Sequence, residues 1–424
     1  MKRKILYLTI IIFIVITSTG CNKVLEQPSI SMVCDYKATT VSMKLAGNDN
    51  VCINWGDGNS DTLLLTAEAQ NIEHIYSDTP NIHVIKLSGF AVLSLECAAN
   101  HLISLDVSKD TALQSLECYN NSLKSLDLSK NTALEHLICG RNNLDTLDVS
   151  ANIRLKRLVC HINRMKSLDL SKNTALEHLY CEINLIERLN ISNSPALETC
   201  FCYDNHIKLL DISKNTKLQK IDCASNSLTS LNTGNNPLLE GIGCSTNAIA
   251  SLDLSNNPAL MVLSCGNNAI ETLSVDKNSA LTYLHCFTNR IKRLDVRKNP
   301  LLENLNCDAN QLARLDVSNN AFLNTLVCNS NLLAELDVSR NSQLETLSCY
   351  ENQIAELNIG NNRHLQNLNC NNNKLNADAL NKIFVSLNAN SSEDSPKHLW
   401  IEENPGTENC NHTIAKEKGW YVYR

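Results

Sequence analysis

The sequence predicts a mainly β fold, a solenoid of about fourteen turns of short parallel strands with a small β cap before it and an α/β cap after it. Three observations carry that expectation. A cysteine recurs every 21 residues from Cys97 through Cys118, Cys139 and onward to Cys370, with no insertion or deletion. Apolar residues recur at fixed offsets around it, and an asparagine stands three residues after every one of those cysteines. Strict self-similarity at one short period marks units that bury their apolar faces only against their neighbours. The length prior of two or three domains for 424 residues is therefore set aside.

The first element is an export signal. Lys2, Arg3 and Lys4 precede an apolar run from Ile5 to Ile16, and small residues lead into Cys21. The pattern resembles a bacterial lipoprotein signal, which implies cleavage after residue 20 and lipidation of Cys21; Ser18 stands where such signals usually carry Leu. The run is shorter than the roughly 20 apolar residues that span a bilayer, so the lipid on Cys21 is the expected membrane attachment. Residues 21–29 read as a linker.

Residues 30–90 lack the repeated phrase and alternate apolar and polar residues around Gly56-Asp57-Gly58, a tight-turn signal within a small β cap. "WGDG" with the later His74 and Tyr76 resembles the PKD-type β-sandwich modules, with Trp55 in the matching place. Asp57 as a calcium ligand and a Cys34–Cys52 disulfide are the chemical options this segment offers.

The solenoid spans residues 91–375. Its apolar places lie five and two residues before the cysteine, at the cysteine, and five, eight and ten after it; the place eight after is Leu in all thirteen complete turns, from Leu105 to Leu357. The Leu-x-Cys and Leu-Asp-Leu pieces both alternate with period two, so each is expected to form a strand. Stacking thirteen steps at about 4.8 Å gives a rod of roughly 60–65 Å. The asparagine ladder, including Asn121, Asn142, Asn163 and Asn184, and a second one thirteen residues after the cysteine, mark two corners per turn.

Both halves of the unit, "LQSLECYNNSL" and "LKSLDLSKNTAL", resemble the leucine-rich-repeat consensus. The whole resembles the nested 21-residue, cysteine-bearing IRREKO-type class of bacterial surface proteins, over about 280 residues. A column of parallel thiols offers one ligand per layer where zinc needs several converging. Parallel neighbours do not turn their Cβ atoms toward each other as a disulfide needs. The cysteines are therefore read as small core hydrophobes, and no metal or cofactor is expected.

The last element, residues 376–424, is the α/β cap. Leu380, Ile383, Phe384 and Leu387 recur at helical spacing behind Asn376 as N-cap; a turn at Asn404, a short helix after Thr413 and an aromatic strand follow.

Function is narrowed mostly by exclusion. Net charge is −7, or −10 once residues 1–20 are removed, which argues against a nucleic-acid partner. His136, His161 and His178 fall too far apart to hold one zinc, and no nucleophile triad or phosphate loop occurs, so no enzyme activity is expected. One distribution is uneven. Seven of the eight Phe, Tyr and Trp residues between Ala91 and Asn373 cluster around the cysteine. Tyr119, Tyr180, Phe201, Tyr203, Phe287 and Tyr350 flank it on outward places, Tyr283 and His285 accompany Phe287, and Phe322 is the exception. Tyr180, Phe201 and Tyr203 are expected to cluster, while the Leu-Asp-Leu side carries small and charged residues such as Asp127. The expected activity is recognition of a protein ligand through the cysteine-strand face, with a glycan as the alternative. The chain is expected to be a monomer in the cell envelope, an outer-membrane lipoprotein exposed at the surface. The resemblance implies a role similar to that of the internalin-like adhesins.

Overall fold

The structure, a computed structural model, describes residues 29–35, 37–77, 81–89, 92–389 and 396–424. The expected export signal, Cys21 and most of the expected linker lie outside the described residues.

Alternating apolar residues make the N-terminal cap from β1 (Ile30–Cys34), β2 (Thr40–Gly47), β3 (Asn50–Asn54), β4 (Ser60–Leu64), β5 (Gln70–Ile75) and β6 (His83–Ser88). The first solenoid turn supplies β7 (Val92–Glu96) and β8 (Leu102–Asp106). The cap closes both sides of that turn. β1 lies antiparallel between β6 and β8, and β2 lies antiparallel between β5 and β7. Asn100, the first of its ladder, exchanges hydrogen bonds with Ser42, its Nδ2 donating to the carbonyl at 2.6 Å and its Oδ1 accepting from the N–H at 2.9 Å. The backbone groups that would otherwise be orphaned at the solenoid's first layer are thus paired.

The "WGDG" segment is explained by its own contacts. Trp55 is fully buried and stacks on His74 with ring centroids 4.6 Å apart; the Tyr76 hydroxyl donates to the Trp55 carbonyl at 2.8 Å. Gly56 has φ +87°, and a Cβ there would lie 2.7 Å from the Val84 carbonyl oxygen, so only glycine fits. Asp57 is used internally: partial burial pushes its carboxyl up, but hydrogen bonds from the Asn59 N–H and from His74 outweigh that and hold it at about 2. Cys34 and Cys52 are not bonded to each other. β6 lies between their strands, and they face His83 and Ser88, five residues apart along it. That places them roughly 19 Å apart by strand geometry, far beyond a disulfide's reach.

From β7 the cysteine-bearing strands stack in parallel and in register, one per turn, through Ser115–Glu117 and His136–Ile138 to Asn367–Asn369. With β5 and β2 at one end and Lys397–Trp400 and Trp420–Tyr423 at the other, they form an open sheet of eighteen strands among the described residues. Every apolar column points inward, and the fourteen ladder cysteines are free and buried. Burial pushes their thiols up, Cys139 to about 12. Cys200 is buried beside Cys202, an additional thiol in an apolar column.

The Leu-Asp-Leu side departs from expectation. It forms paired strands only at β8 and at Ser167–Asp169 with Arg188–Asn190. Paired or not, the segment ends in a side-chain turn. Asp127 accepts a hydrogen bond from the Ser129 N–H at 2.9 Å, and Asp148, Asp169, Asp211, Asp253, Asp316 and Asp337 do the same two residues on. Asp106, Asp169 and Asn190 make the same turn at the ends of the three strands that do form, so the turn does not decide which segments pair.

The asparagine ladders are structural, as expected. Asn142 donates through Nδ2 to the carbonyls of Cys118 and Cys139 at 3.0 and 3.1 Å and accepts from the Leu123 N–H at 3.0 Å; Asn121, Asn163 and Asn184 repeat this. The unusual dihedral, however, falls on the residue before the asparagine. Asn120, Arg141, Ile162, Ile183 and their equivalents all have φ between +46° and +57°. β-branched residues in that region are strained.

The repeat also runs a turn further than the cysteines. α1 (Ala377–Ser386), capped by the Asn376 side chain accepting from the Ala379 N–H at 2.9 Å, interrupts it, and the strand Lys397–Trp400 resumes it. Ile401 takes the cysteine place, and Asn404 donates to the Cys370 and Ile401 carbonyls at 2.9 and 3.0 Å as the ladder asparagines do. α2 (Thr413–Glu417) and the strand Trp420–Tyr423 then complete the sheet. Among the described residues no helix is long and apolar enough to cross a membrane.

Candidate functional site

Strand alternation settles which side chains the cysteine-strand sheet shows to solvent. With the cysteine and the residue two before it buried, the places three before, one before and one after must point outward. Tyr180, Phe201, Tyr203, Tyr283, His285, Phe287 and Tyr350 are half-buried there and Tyr119 is exposed. All eight expected residues therefore lie on one face, but the structure brings only some of them together.

Tyr180 and Phe201, on adjacent strands, meet edge to face with ring centroids 5.3 Å apart. The Arg157 guanidinium stands 5.2 Å from the Tyr180 ring centre, on its other neighbour. Tyr203 does not join them: among the described residues it makes no ring contact. It stands in the column on the far side of the cysteine, between Glu182 and Ala224. The expected three-ring cluster is a pair.

The second group is tighter. Tyr283 and His285 rings are 3.8 Å apart, the Tyr283 hydroxyl lies 2.6 Å from His285 Nδ1, and His285 Nε2 lies 2.8 Å from Asn304 Oδ1. Burial holds His285 below the usual histidine range, so the neutral ring dominates at neutral pH. Phe287 meets His285 edge to face at 6.3 Å. Its ring covers Gly266 in the turn before, where a Cβ would lie 2.5 Å from it, so that glycine makes the room.

A third group was hidden from sequence reading. His398 and Trp400, on the resumed strand, stack with Tyr421 and Tyr423 on the last one: Trp400 and Tyr423 centroids are 5.1 Å apart with planes 12° off parallel, and His398 lies 5.7 and 5.8 Å from Tyr421 and Tyr423. Tyr421 remains 60% exposed. Its signal was "HLWIEEN", the repeat's phrase with Ile401 in the cysteine place. The inserted helix breaks the 21-residue count that would have revealed it.

The histidines weighed as ligands stay apart. His136 and His178 lie two strands apart, and His161 approaches Glu182 at 3.5 Å instead. Among the described residues no group of three or more His, Cys, Asp or Glu could hold a metal ion.

No protein-family model matches the sequence, and neither does any curated protein. Solved structures do. The functional domain of InlJ from Listeria monocytogenes, which includes a cysteine ladder, is 30% identical, with a TM-score of 0.62 over 73% of this chain and 74% of that one. An internalin, inlF, of the same species is 22% identical at a TM-score of 0.61, covering 64% of this chain and 85% of its own. A leucine-rich-repeat protein of Leptospira interrogans is 19% identical at 0.61, covering 78% and 95%. The latter two speak to fold alone; InlJ shares the cysteine column as well. The chain belongs to the leucine-rich-repeat family and is similar to its cysteine-ladder members of the internalin type.

Proposed function

We propose that this chain is a non-enzymatic recognition protein that binds a protein ligand through the cysteine-strand face, and that a lipid on Cys21 holds it in the cell envelope. The observation that carries the first part is the asymmetry of the two sides. One presents ring groups at Tyr180–Phe201, Tyr283–Phe287 and Trp400–Tyr423 along a continuous sheet, while the other is occupied with its own aspartate turns. Aromatic side chains anchored on a rigid scaffold and surrounded by varied polar neighbours make efficient binding anchors. The similarity to internalin-type proteins supports a recognition role.

The experiment is a double substitution, Tyr180→Ala with Phe201→Ala. It is expected to weaken retention of the protein captured by the intact chain at least tenfold, about 1.4 kcal/mol, with the melting temperature nearly unchanged because both rings are outward. Unchanged retention contradicts the assignment. A glycan ligand is the second reading, favoured by the exposed Tyr421 ring at the end of the Trp400–Tyr423 stack. Binding on a glycan array that is lost in Tyr421→Ala would support it. Cys21→Ala should leave the precursor unprocessed or release the protein from the membrane fraction, and lipid labelling that persists in this variant would overturn the anchor. Surface exposure in the outer membrane is part of the same proposal, tested by protease accessibility on intact cells.

A further inference from the structure

Away from the rings the repeat is monotonous, so its departures are informative. The place seven residues after the cysteine holds Ser or Thr in seven of thirteen turns, Ser125 and Ser251 among them. In the tenth and eleventh turns it holds Arg293 and Arg314, with Lys292 beside the first. These three cations, Arg297 and the carboxylates of Asp295 and Asp316 line an open groove of about 840 Å³. Asp295 is paired within the groove, and Asp316 is held by its own serine turn. Arg297 closes on Asp295 through contacts of 2.9 and 2.6 Å, and Asp316 accepts from the Ser318 N–H and hydroxyl at 3.0 and 2.7 Å. Among the described residues no carboxylate reaches Lys292, Arg293 or Arg314 within ion-pair distance.

Stacked turns put the Arg293 and Arg314 backbones about 4.8 Å apart, and like charges placed so close are destabilising. The fold does not require them, since serine fills the same place in other turns. We propose that this groove binds a sulfated polysaccharide, laid along the solenoid axis with about one sulfate per turn. Guanidinium forks match oxoanions in bidentate geometry, and the turn spacing is close to the length of one sugar ring. The lining carries no aromatic side chain, so nucleic-acid bases would find nothing to stack on. Its apolar part is only Leu294, itself buried, and Ala313, too little to anchor a protein. Glu335, in the same place one turn later, ends the cationic run. A second open groove on this side, around Arg188, mixes Arg188 and Lys208 with Asp169 and Glu187 and has no such excess. The inference does not rest on the proposed protein-binding face.

The test uses the whole chain with dextran sulfate, neutral dextran and poly-L-glutamate as probes. Binding is expected to dextran sulfate, to weaken with added salt, and to be absent with neutral dextran. Arg293→Ser with Arg314→Ser, which restores the residue of other turns, should weaken it at least tenfold without lowering the melting temperature, while Arg188→Ser leaves it unchanged. Equal binding by the double variant, or equal loss in Arg188→Ser, overturns the site. Poly-L-glutamate binding as tightly as dextran sulfate overturns the ligand class and assigns the groove to acidic protein segments.

Discussion

At the scale of single residues, the exceptions to the repeat carry measurable energies. Asp110 occupies a place that is asparagine in most turns, yet it is buried and one carboxylate oxygen has no partner. Burial pushes its carboxyl up to about 6, against 3.8 ordinarily. Between those values the folded chain keeps a proton that the unfolded chain has released, so stability falls as pH rises through that window and is flat above it. Asp110→Asn should therefore stabilise the protein at pH 7 by on the order of 2 kcal/mol and make little difference at pH 4, as thermal melts at the two values would show. The opposite exception is Thr233, a hydroxyl in a buried apolar column, whose single proton has two acceptors, the Asp253 carbonyl and Asn257 Oδ1, both at 2.8 Å. Ile183 is strained at φ +56° and partly exposed. Ile183→Asn, a residue that tolerates this region, should raise stability by about 1 kcal/mol in chemical denaturation; a loss of that size would show that the Ile side chain's packing outweighs its backbone strain.

At the scale of the element, one turn of 21 residues is held by two kinds of column, apolar side chains inside and asparagine amides at the corners. The cysteine belongs to the first kind. Native protein should resist a thiol reagent at the fourteen ladder positions and react freely once denatured, and Cys223→Ser should cost about 1–3 kcal/mol by burying a hydroxyl without an assured partner. Rapid modification of the native ladder would contradict this. The turn was largely legible in the sequence because inward columns obey period two and tolerate few residue types, as Leu105 to Leu357 show. Two local features escaped. Alternation suggested a strand in every Leu-Asp-Leu segment, yet those ending in Asp106, Asp169 and Asn190 pair and the one ending in Asp127 does not, although all end in the same turn; the positive φ falls on residues as different as Ile162, Ser225 and Glu351, so no residue type announces it. Backbone hydrogen bonds between turns enforce that corner, such as the Ile162 N–H donating to the Glu182 carbonyl at 3.0 Å. The candidate site was legible for Tyr180, Phe201 and the Tyr283–Phe287 group. Tyr203 was misplaced because adjacency along a strand does not fix ring direction, and the His398–Tyr423 stack was hidden because α1 interrupts the period.

At the scale of the whole molecule, the caps explain how a long sheet ends. β1 and β2 pair antiparallel with the two sides of the first turn, and α1, α2 and the last two strands cover the final layer of core. Between them the repeat supplies rigidity, and outward residues that depart from it supply chemistry: rings on the cysteine-strand side, unpaired cations on the other. The central claim is that the cysteine-strand face is the recognition surface. The most direct measurement places a photo-crosslinking amino acid at positions 201, 287 and 400 on that face, and at positions 125, 167 and 251 on the opposite side. Intact cells or extracts are then irradiated and the adducts identified by mass spectrometry. One protein crosslinked from the first set and absent from the second is the predicted result, whereas adducts arising only from positions 125, 167 and 251 would contradict the account.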